Sequence, residues 1–173
     1  MRMQNKCAVI TGAASGIGAR AAVRLAAEGA KCFLMDVNAE GLDATKKQIE
    51  QAGGSAVACA CDVSDEEAVR AAIEQAAAVF SRIDILVNVA GVQVTKLLTD
   101  TTKGDYDRMM DINVGGTFLT MRYVLPLMKA QGSGAIVNCA SELAFVGYHE
   151  LAVYTATKGA MVRLTRSVAL EAI

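Results

Sequence analysis

Short apolar runs alternate with longer segments of helical periodicity along the whole chain. The apolar runs predict five buried strands, which lie at residues 6–11, 31–35, 55–61, 84–88 and 135–139. Helical patterns lie between and after them, at residues 17–28, 39–52, 105–129 and 151–172, with a further helix that ends near residue 80. Strands that alternate with helices predict right-handed crossovers and therefore a doubly wound parallel sheet of the α/β class. Such a sheet binds ligands beyond the carboxyl ends of its strands.

The start of the third helix has a capping pattern. Ser64 and Glu67 have the S-x-x-E spacing in which each side chain bonds the backbone N–H group of the other residue. We therefore predict a capping box at Ser64 that begins a helix running to about Phe80.

Length and composition predict one compact domain over residues 1–173. The 173 residues are 53% hydrophobic and 20% charged, which is typical of a globular protein and excludes a disordered chain. The formal net charge is −1 with acids and bases interspersed, which disfavours nucleic acid and anionic membranes as partners. No apolar run approaches the ~20 residues needed to span a bilayer, and no secretory signal pattern is visible, so we expect a cytoplasmic protein.

The five cysteines show no metal-binding or disulfide pattern. They form no C-x-x-C pair, and His149 is the single histidine. We therefore expect reduced, mostly buried thiols and no metal site.

A glycine-rich loop follows the first strand. Residues 11–18 read T-G-A-A-S-G-I-G, a G-x-x-x-G-x-G spacing between a strand and a helix. Glycine allows a sharp turn and a close approach of a pyrophosphate to the main chain, and the helix start supplies unpaired N–H groups. An ordinary tight turn is the alternative, but the position between strand and helix favours a dinucleotide site.

An acidic residue, Asp36, ends the second strand, 20 residues beyond Gly16. A carboxylate at this place accepts hydrogen bonds from the ribose hydroxyls of NAD and repels the 2′-phosphate of NADP. The glycine loop contains no Lys or Arg that would attract that phosphate. We predict NAD as the cofactor, and a solvated acid at the start of a loop is the alternative.

Three polar residues near the C-terminus form a candidate catalytic group. Ser141 lies just beyond the fifth strand, and Tyr154 and Lys158 are one turn apart on the last helix, so that they share a face. A lysine ammonium beside a phenol lowers the pKa of the phenol, which otherwise titrates near ~10. A serine hydroxyl can bond the substrate oxygen while charge changes there. Alone, a Tyr–Lys pair would indicate a solvated surface, but beside a dinucleotide loop it indicates catalysis.

The chain resembles the short-chain dehydrogenase/reductase family through motifs that span almost its whole length. They are the T-G-x-x-x-G-I-G loop at 11–18, Asp36, Asp62-Val63, N-V-A-G at 88–91, Asn113, Ser141 and Y-x-x-x-K at 154–158. The resemblance implies strand order 3-2-1-4-5 and hydride transfer between NAD(H) and a small-molecule alcohol or carbonyl substrate. It also implies a homodimer or homotetramer formed through the long helix and the last helix.

The resemblance also implies roles for individual residues. Tyr154 would be the acid/base, Lys158 would modulate its pKa and contact the ribose, and Ser141 would bind the substrate oxygen. Asn113 would lie at a break in the long helix and help to hold a water of the proton relay. The implied cofactor contacts are Gly12, Ser15, Gly16, Ile17, Gly18, Asp36, Asp62, Val63, Asn88, Ala90, Gly91, Tyr154 and Lys158.

Two departures from the family pattern bear on function. Val89 replaces the second asparagine of N-N-A-G, for which we expect a local packing adjustment. The chain is also short for the family, and we expect the sixth and seventh strands of the family to be absent from these 173 residues. A truncated, non-catalytic nucleotide-binding relative is therefore the alternative function, whereas the glycine spacing disfavours a sugar-nucleotide epimerase or dehydratase. His149 has two interpretations, a residue at the substrate mouth or an exposed loop histidine.

Overall fold

A sheet of five parallel strands forms the centre of the computed structural model, which describes residues 1–172. The strands are β1 (Cys7–Thr11), β2 (Lys31–Asp36), β3 (Ser55–Ala60), β4 (Ile85–Asn88) and β5 (Ala135–Asn138). Their order across the sheet is β3-β2-β1-β4-β5, and every neighbouring pair is parallel. The predicted fold class and strand order are confirmed.

Six α-helices connect and cover these strands within residues 1–172. They are α1 (Gly16–Ala27), α2 (Ala39–Gln51), α3 (Glu66–Phe80), α4 (Lys103–Met109), α5 (Gly116–Gln131) and α6 (Ala152–Glu171). Ile10 and Leu34 pack in one buried cluster with α1 and α2, whereas Val9 and Phe33 pack in a second cluster with α3 and α5. Because both faces of the sheet are covered, its central strands are continuous apolar runs.

Helix α3 is capped by Asp65 rather than by Ser64. The Asp65 carboxylate accepts a hydrogen bond from a backbone N–H of the first turn, 3.1 Å away. The Ser64 hydroxyl instead donates to Asp62 over 2.7 Å, so the predicted capping box at Ser64 is wrong. A true capping box lies at the start of α4, between Thr102 and Asp105.

The long helix expected over residues 105–129 is divided into three parts. Helix α4 ends at Met109, a π-helical segment covers Met110–Gly115, and α5 begins at Gly116. Asn113 lies inside the π-helical segment and is fully buried. A π-helical turn accommodates one more residue than an α-helical turn and is common at functional sites. The expected break at Asn113 is confirmed.

The strands at the centre and at the β5 side of the sheet differ in how well they are covered. Strand β1 is buried along its whole length, whereas β5 is only partly covered, with Val137 56% exposed. Within residues 1–172, β5 is the last strand on its side, so one of its edges has no partner strand. In the same range, no helix is long and apolar enough to cross a membrane.

Candidate active site

The carboxyl ends of β1, β2, β4 and β5 converge on one edge of the sheet. β1 and β4 lie side by side, but the chain continues from them to opposite sides, toward β2 and toward β5. Such a reversal opens a crevice above the strand ends, where sheets of this class bind ligands. The glycine loop, Asp36, the 88–91 loop and Ser141 all lie at or just beyond strand ends of this edge.

The glycine loop is locked against the loop that follows β4. The Thr11 hydroxyl accepts hydrogen bonds from the backbone N–H groups of Val89 and Ala90, each over 3.1 Å. Gly12 has φ +67°, and a Cβ placed there would lie 2.8 Å from the backbone nitrogen of Ala90. A Cβ on Gly18 would overlap the carbonyl oxygen of Gly12. Glycine is therefore required at both positions by close backbone contacts.

Gly16 lies in a part of the same loop that has free space beside it. It has φ +52°, and a Cβ placed there would meet no atom within 4 Å. Ser15 precedes α1 without a side-chain capping bond, and the first turn of α1 contains no acidic residue. Unpaired N–H groups and a partial positive charge at a helix start fit a pyrophosphate. The neighbouring Ile17 is 66% exposed, so apolar surface is also available to a ligand.

The Asp36 carboxylate is held by two backbone groups. One of its oxygens accepts a hydrogen bond from the N–H of Ala14 over 3.1 Å, and the other accepts one from the N–H of Asn38 over 3.0 Å. A carboxylate has about four acceptor positions, so capacity remains for ribose hydroxyls. Val37, the next residue, is 69% exposed and offers apolar surface beside the carboxylate. This arrangement fits a ribose with free hydroxyls and opposes an added phosphate.

Asp62 and Val63, shortly after β3, support the loop in which they lie. Asp62 accepts hydrogen bonds from the hydroxyl and the backbone N–H of Ser64, and these bonds lower the pKa of Asp62. Val63 is buried, and a Cβ on Gly116 would lie 2.6 Å from its side chain. The two side chains therefore fix the path of the chain beside the crevice, and their contact with a cofactor stays a prediction.

The side chain of Asn88 belongs to a buried hydrogen-bond network. Its Nδ2 donates to Oδ1 of Asn138 over 2.9 Å, and its Oδ1 accepts from the hydroxyl of Thr120 over 2.8 Å. Asn138 in turn donates to the hydroxyl of Thr165 over 2.9 Å. The network joins β4 and β5 to α5 and α6. The side chain of Asn88 is thus part of the scaffold, its carbonyl accepts a hydrogen bond from the N–H of Cys139 over 2.8 Å, and its contact with a cofactor stays a prediction.

Sequence patterns did not indicate the other members of this network. Asn138, Thr120 and Thr165 stabilise the position of α6, which carries two candidate catalytic residues. A signal for Asn138 is that β4 and β5 both end in asparagine, because these two residues are direct partners in the parallel register.

Asn113 connects the loop after β4 to helix α6. Its Oδ1 accepts from the N–H of Val92 over 2.7 Å, and its Nδ2 donates to the carbonyl of Val92 over 2.9 Å. The same Nδ2 donates to the hydroxyl of Thr157 over 3.1 Å, and that hydroxyl donates to the carbonyl of Tyr154 over 2.7 Å. A Cβ on Gly91 would lie 3.2 Å from the Asn113 side chain. The amide therefore positions the turn that carries Tyr154.

Three of the four predicted catalytic residues, Ser141, Tyr154 and Lys158, come together at the same edge of the sheet, and Asn113 bonds the helix that carries two of them. The Nζ of Lys158 lies 5.6 Å from the ring centroid of Tyr154 and donates to the carbonyl of Cys139 over 2.8 Å. Lys158 is 4% exposed and Tyr154 is half-buried. Ser141 precedes the 3₁₀ turn Glu142–Ala144, which packs against α6. The Ser141 hydroxyl accepts a backbone N–H of that turn over 3.2 Å.

Burial controls the protonation of the Tyr154–Lys158 pair. It raises the pKa of Tyr154, with smaller contributions in the same direction from Cys139 and Glu142. It also lowers the pKa of Lys158. The expected lowering of the phenol pKa is not found, because desolvation of the phenolate by burial dominates. The ammonium lies over the ring and bonds a backbone carbonyl.

The loop between Ser141 and α6 is exposed and mostly apolar. Phe145, Val146 and Tyr148 are 70%, 57% and 67% exposed. The side chain of His149 is 78% exposed, and its Nδ1 lies 3.7 Å from a Glu150 oxygen. Of the two interpretations of His149, the structure therefore favours the exposed loop histidine.

Known proteins match this chain over nearly its whole length. The family model described as short chain dehydrogenase matches residues 6–173. D-threitol dehydrogenase of Mycolicibacterium smegmatis is 42% identical over 170 residues, which are 98% of this chain and 65% of that protein. The chain thus spans about two thirds of the length of this relative.

Solved structures of the same architecture include complexes with both nicotinamide cofactors. NAD⁺-bound xylitol dehydrogenase superposes with a TM-score of 0.97 and 35% identity, over 99% of this chain and 66% of the other. A metagenomic short-chain oxidoreductase in complex with NADP gives a TM-score of 0.96 and 34% identity, over 99% of this chain and 78% of the other. With the strand order and the family match, these likenesses show that the chain belongs to the short-chain dehydrogenase family.

Proposed function

We propose that this chain carries the cofactor-binding and catalytic part of an NAD(H)-dependent oxidoreductase that interconverts alcohols and carbonyl compounds. One observation carries the proposal: Ser141, Tyr154 and Lys158 lie at the sheet edge that also holds the glycine loop and Asp36. A dinucleotide in the crevice between β1 and β4 would lie beside these three side chains. When bound, the nicotinamide would exchange a hydride with the substrate carbon. The protein would have to donate or accept the proton of the substrate oxygen.

The cofactor half of the proposal rests on the open glycine loop and on Asp36. The start of α1 offers N–H groups for a pyrophosphate, and Gly16 leaves space for it. The Asp36 carboxylate retains acceptor capacity for the ribose hydroxyls, whereas a 2′-phosphate would be repelled. These features favour NAD over NADP.

The catalytic half rests on proton exchange at Tyr154. The raised pKa keeps its phenol protonated at neutral pH, which suits donation of a proton to the oxygen of a ketone. In the oxidising direction, the phenolate form of Tyr154 would accept the proton from the alcohol. The positive charge of the Lys158 ammonium, 5.6 Å from the centroid of the Tyr154 ring, would favour the phenolate when Tyr154 gives up its proton. Ser141 would bond the substrate oxygen, and Asn113 would hold the turn of α6 that carries Tyr154.

Lys158 has unused hydrogen-bonding capacity. An ammonium has three donors, and one of them bonds the Cys139 carbonyl. Its other donors could bond the ribose hydroxyls of a cofactor bound in the crevice. We propose that Lys158 contacts that ribose as well as modulating Tyr154.

Binding titrations with NAD⁺ and NADP⁺ test the cofactor assignment. We expect wild-type protein to bind NAD⁺ more tightly, and Asp36→Asn to weaken NAD⁺ about tenfold while improving NADP⁺, because a charged acceptor is lost. Asp43→Asn removes the same charge from an exposed position on α2 and serves as the control. Equal or tighter binding of NADP⁺ by wild-type protein would contradict the assignment.

Turnover assays on secondary alcohols, sugars and β-ketoacyl compounds test the activity itself. Reduction of NAD⁺ or oxidation of NADH with any of these supports the enzyme. Tight binding of NAD⁺ by the full-length protein without turnover of any substrate would support the non-catalytic nucleotide-binding relative instead.

A further inference from the structure

Glu142 places a carboxylate beside the proposed catalytic serine. It follows Ser141 directly and begins the 3₁₀ turn Glu142–Ala144. Its Oε2 accepts a hydrogen bond from the Ser141 hydroxyl over 3.2 Å, and the residue is exposed. A serine hydroxyl has one proton, so a substrate carbonyl oxygen would replace the Glu142 carboxylate as the acceptor of that proton. Groups on the carbon next to the reacting carbon would then lie close to this carboxylate.

The charge of Glu142 also acts on the neighbouring phenol. Burial is the main cause of the raised pKa of Tyr154, and Cys139 and Glu142 shift it further in the same direction. A negative charge raises the pKa of a phenol only where it lies near enough to oppose the phenolate. The same field acts on any anionic group that a substrate brings to this place.

The cations on this side of the site are already engaged. Lys158 is buried and bonds a backbone carbonyl. Lys96 is paired with Asp105 over 2.7 Å, and His149 lies 3.7 Å from Glu150. In the part of the chain that the structure describes, the carboxylate beside the catalytic serine has no ion-pair partner.

We propose that Glu142 is a specificity-determining residue that selects neutral substrates over those in which the carbon next to the reacting one is a carboxylate or carries a phosphate. The inference rests on the proposed function, because Ser141 defines where the substrate oxygen lies. Glu142 repels an anionic group at this place, whereas a hydroxyl there can donate a hydrogen bond to it. The favoured class is neutral alcohols and ketones, including those with a hydroxyl on the adjacent carbon.

The test compares substrates of matched shape and different charge in the full-length protein. Hydroxyacetone and pyruvate form one pair, and 1-hydroxy-2-butanone and 2-oxobutanoate form another, because each pair exchanges a CH₂OH group for a carboxylate. The ratio of kcat/KM within each pair is measured with NADH for wild type, Glu142→Gln and Glu150→Gln. Where neither member is turned over, their inhibition constants against an accepted substrate give the corresponding ratio.

The two variants separate local charge from net charge. Glu142→Gln keeps a hydrogen-bond acceptor for Ser141 and removes only the negative charge. Glu150→Gln removes the same charge from the same exposed segment, but from a residue that lies beside His149.

We expect wild-type protein to prefer the neutral member of each pair. Glu142→Gln should reduce that preference about fivefold through the KM of the acid, the upper range for an exposed pair of charges. Glu150→Gln should leave the ratio unchanged. An active enzyme whose ratio is unaffected by Glu142→Gln overturns this inference alone. Wild-type protein that turns over no substrate contradicts the proposed function, and the inference fails with it.

Discussion

The two sides of the sheet form their parts of the site in different ways. On the side of β1, β2 and β3, the site consists of glycine conformations, backbone N–H groups and one carboxylate held by the backbone. On the side of β4, β5 and α6, it consists of side chains such as Lys158, held by hydrogen bonds. Adding atoms should therefore damage the first side, and removing atoms should damage the second.

The difference in burial follows the same division. A main-chain site needs a backbone that does not move, and β1 is buried along its whole length. Strand β5 is more open, yet α6 is fixed to it by Asn138 and Thr165 and by the Lys158–Cys139 bond. Side-chain hydrogen bonds thus fix α6, which carries Tyr154 and Lys158, against the end of β5.

The largest effect is expected from removing one oxygen on the catalytic side. Tyr154→Phe keeps the ring and removes the exchangeable proton, so turnover should fall by roughly two to four orders of magnitude. NAD⁺ affinity should remain near the wild-type value. Steady-state kinetics and binding titrations measure both, and Tyr106→Phe on α4, 42% exposed, is the control that should retain full activity. Near-full activity of Tyr154→Phe would mean that another group exchanges the proton.

A smaller effect is expected from adding one carbon on the cofactor side. Gly16 and Gly53 both have positive φ, +52° and +81°, and at neither would a Cβ meet an atom within 4 Å. Each alanine variant should lose about 1–2 kcal/mol of unfolding free energy from the left-handed backbone. Gly16→Ala alone should also weaken NAD⁺ about tenfold or more, equivalent to ~1.4 kcal/mol. Equal NAD⁺ affinity in the two variants would show that Gly16 is not part of the cofactor site.

The smallest effect concerns stability at high pH. Burial raises the pKa of Tyr154 above its value in the unfolded chain, near ~10. The neutral phenol therefore contributes stability below about pH 10, and that contribution is lost as the pH rises through the folded-state pKa. Wild-type protein should lose more unfolding free energy than Tyr154→Phe between about pH 9 and pH 11. Urea denaturation at both pH values measures this, and equal losses would indicate a solvated phenol.

Features that depend on nearby residues could be predicted from the sequence. The first strand was expected at residues 6–11 and lies at Cys7–Thr11. It could be predicted because an apolar run and the glycine that follows it are visible in adjacent residues of the sequence. The Tyr154–Lys158 pair follows from one turn of helix. The glycine loop follows from the spacing of its glycines between a strand and a helix.

Features that depend on distant partners could not be predicted. Asn88 bonds Asn138 and Thr120, which are 50 and 32 residues away, so its inward position is defined only by the folded sheet. The spacing of Lys158 from Tyr154 predicts a lowered phenol pKa, but burial by other parts of the fold reverses the direction. Ser64 has the spacing of a cap, yet its hydroxyl bonds Asp62 instead.

The two sides of the sheet meet at Lys158, which lies on α6 and is proposed to contact the ribose of a cofactor held by the glycine loop. The most direct measurement is the NAD⁺ affinity of Lys158→Met, titrated beside wild type and Tyr154→Phe. We expect about tenfold weaker binding for Lys158→Met, because a charged hydrogen-bond donor is lost, and near-unchanged binding for Tyr154→Phe. A folded Lys158→Met protein that binds NAD⁺ as tightly as wild type would contradict the claim that the two sides of the sheet bind the same cofactor.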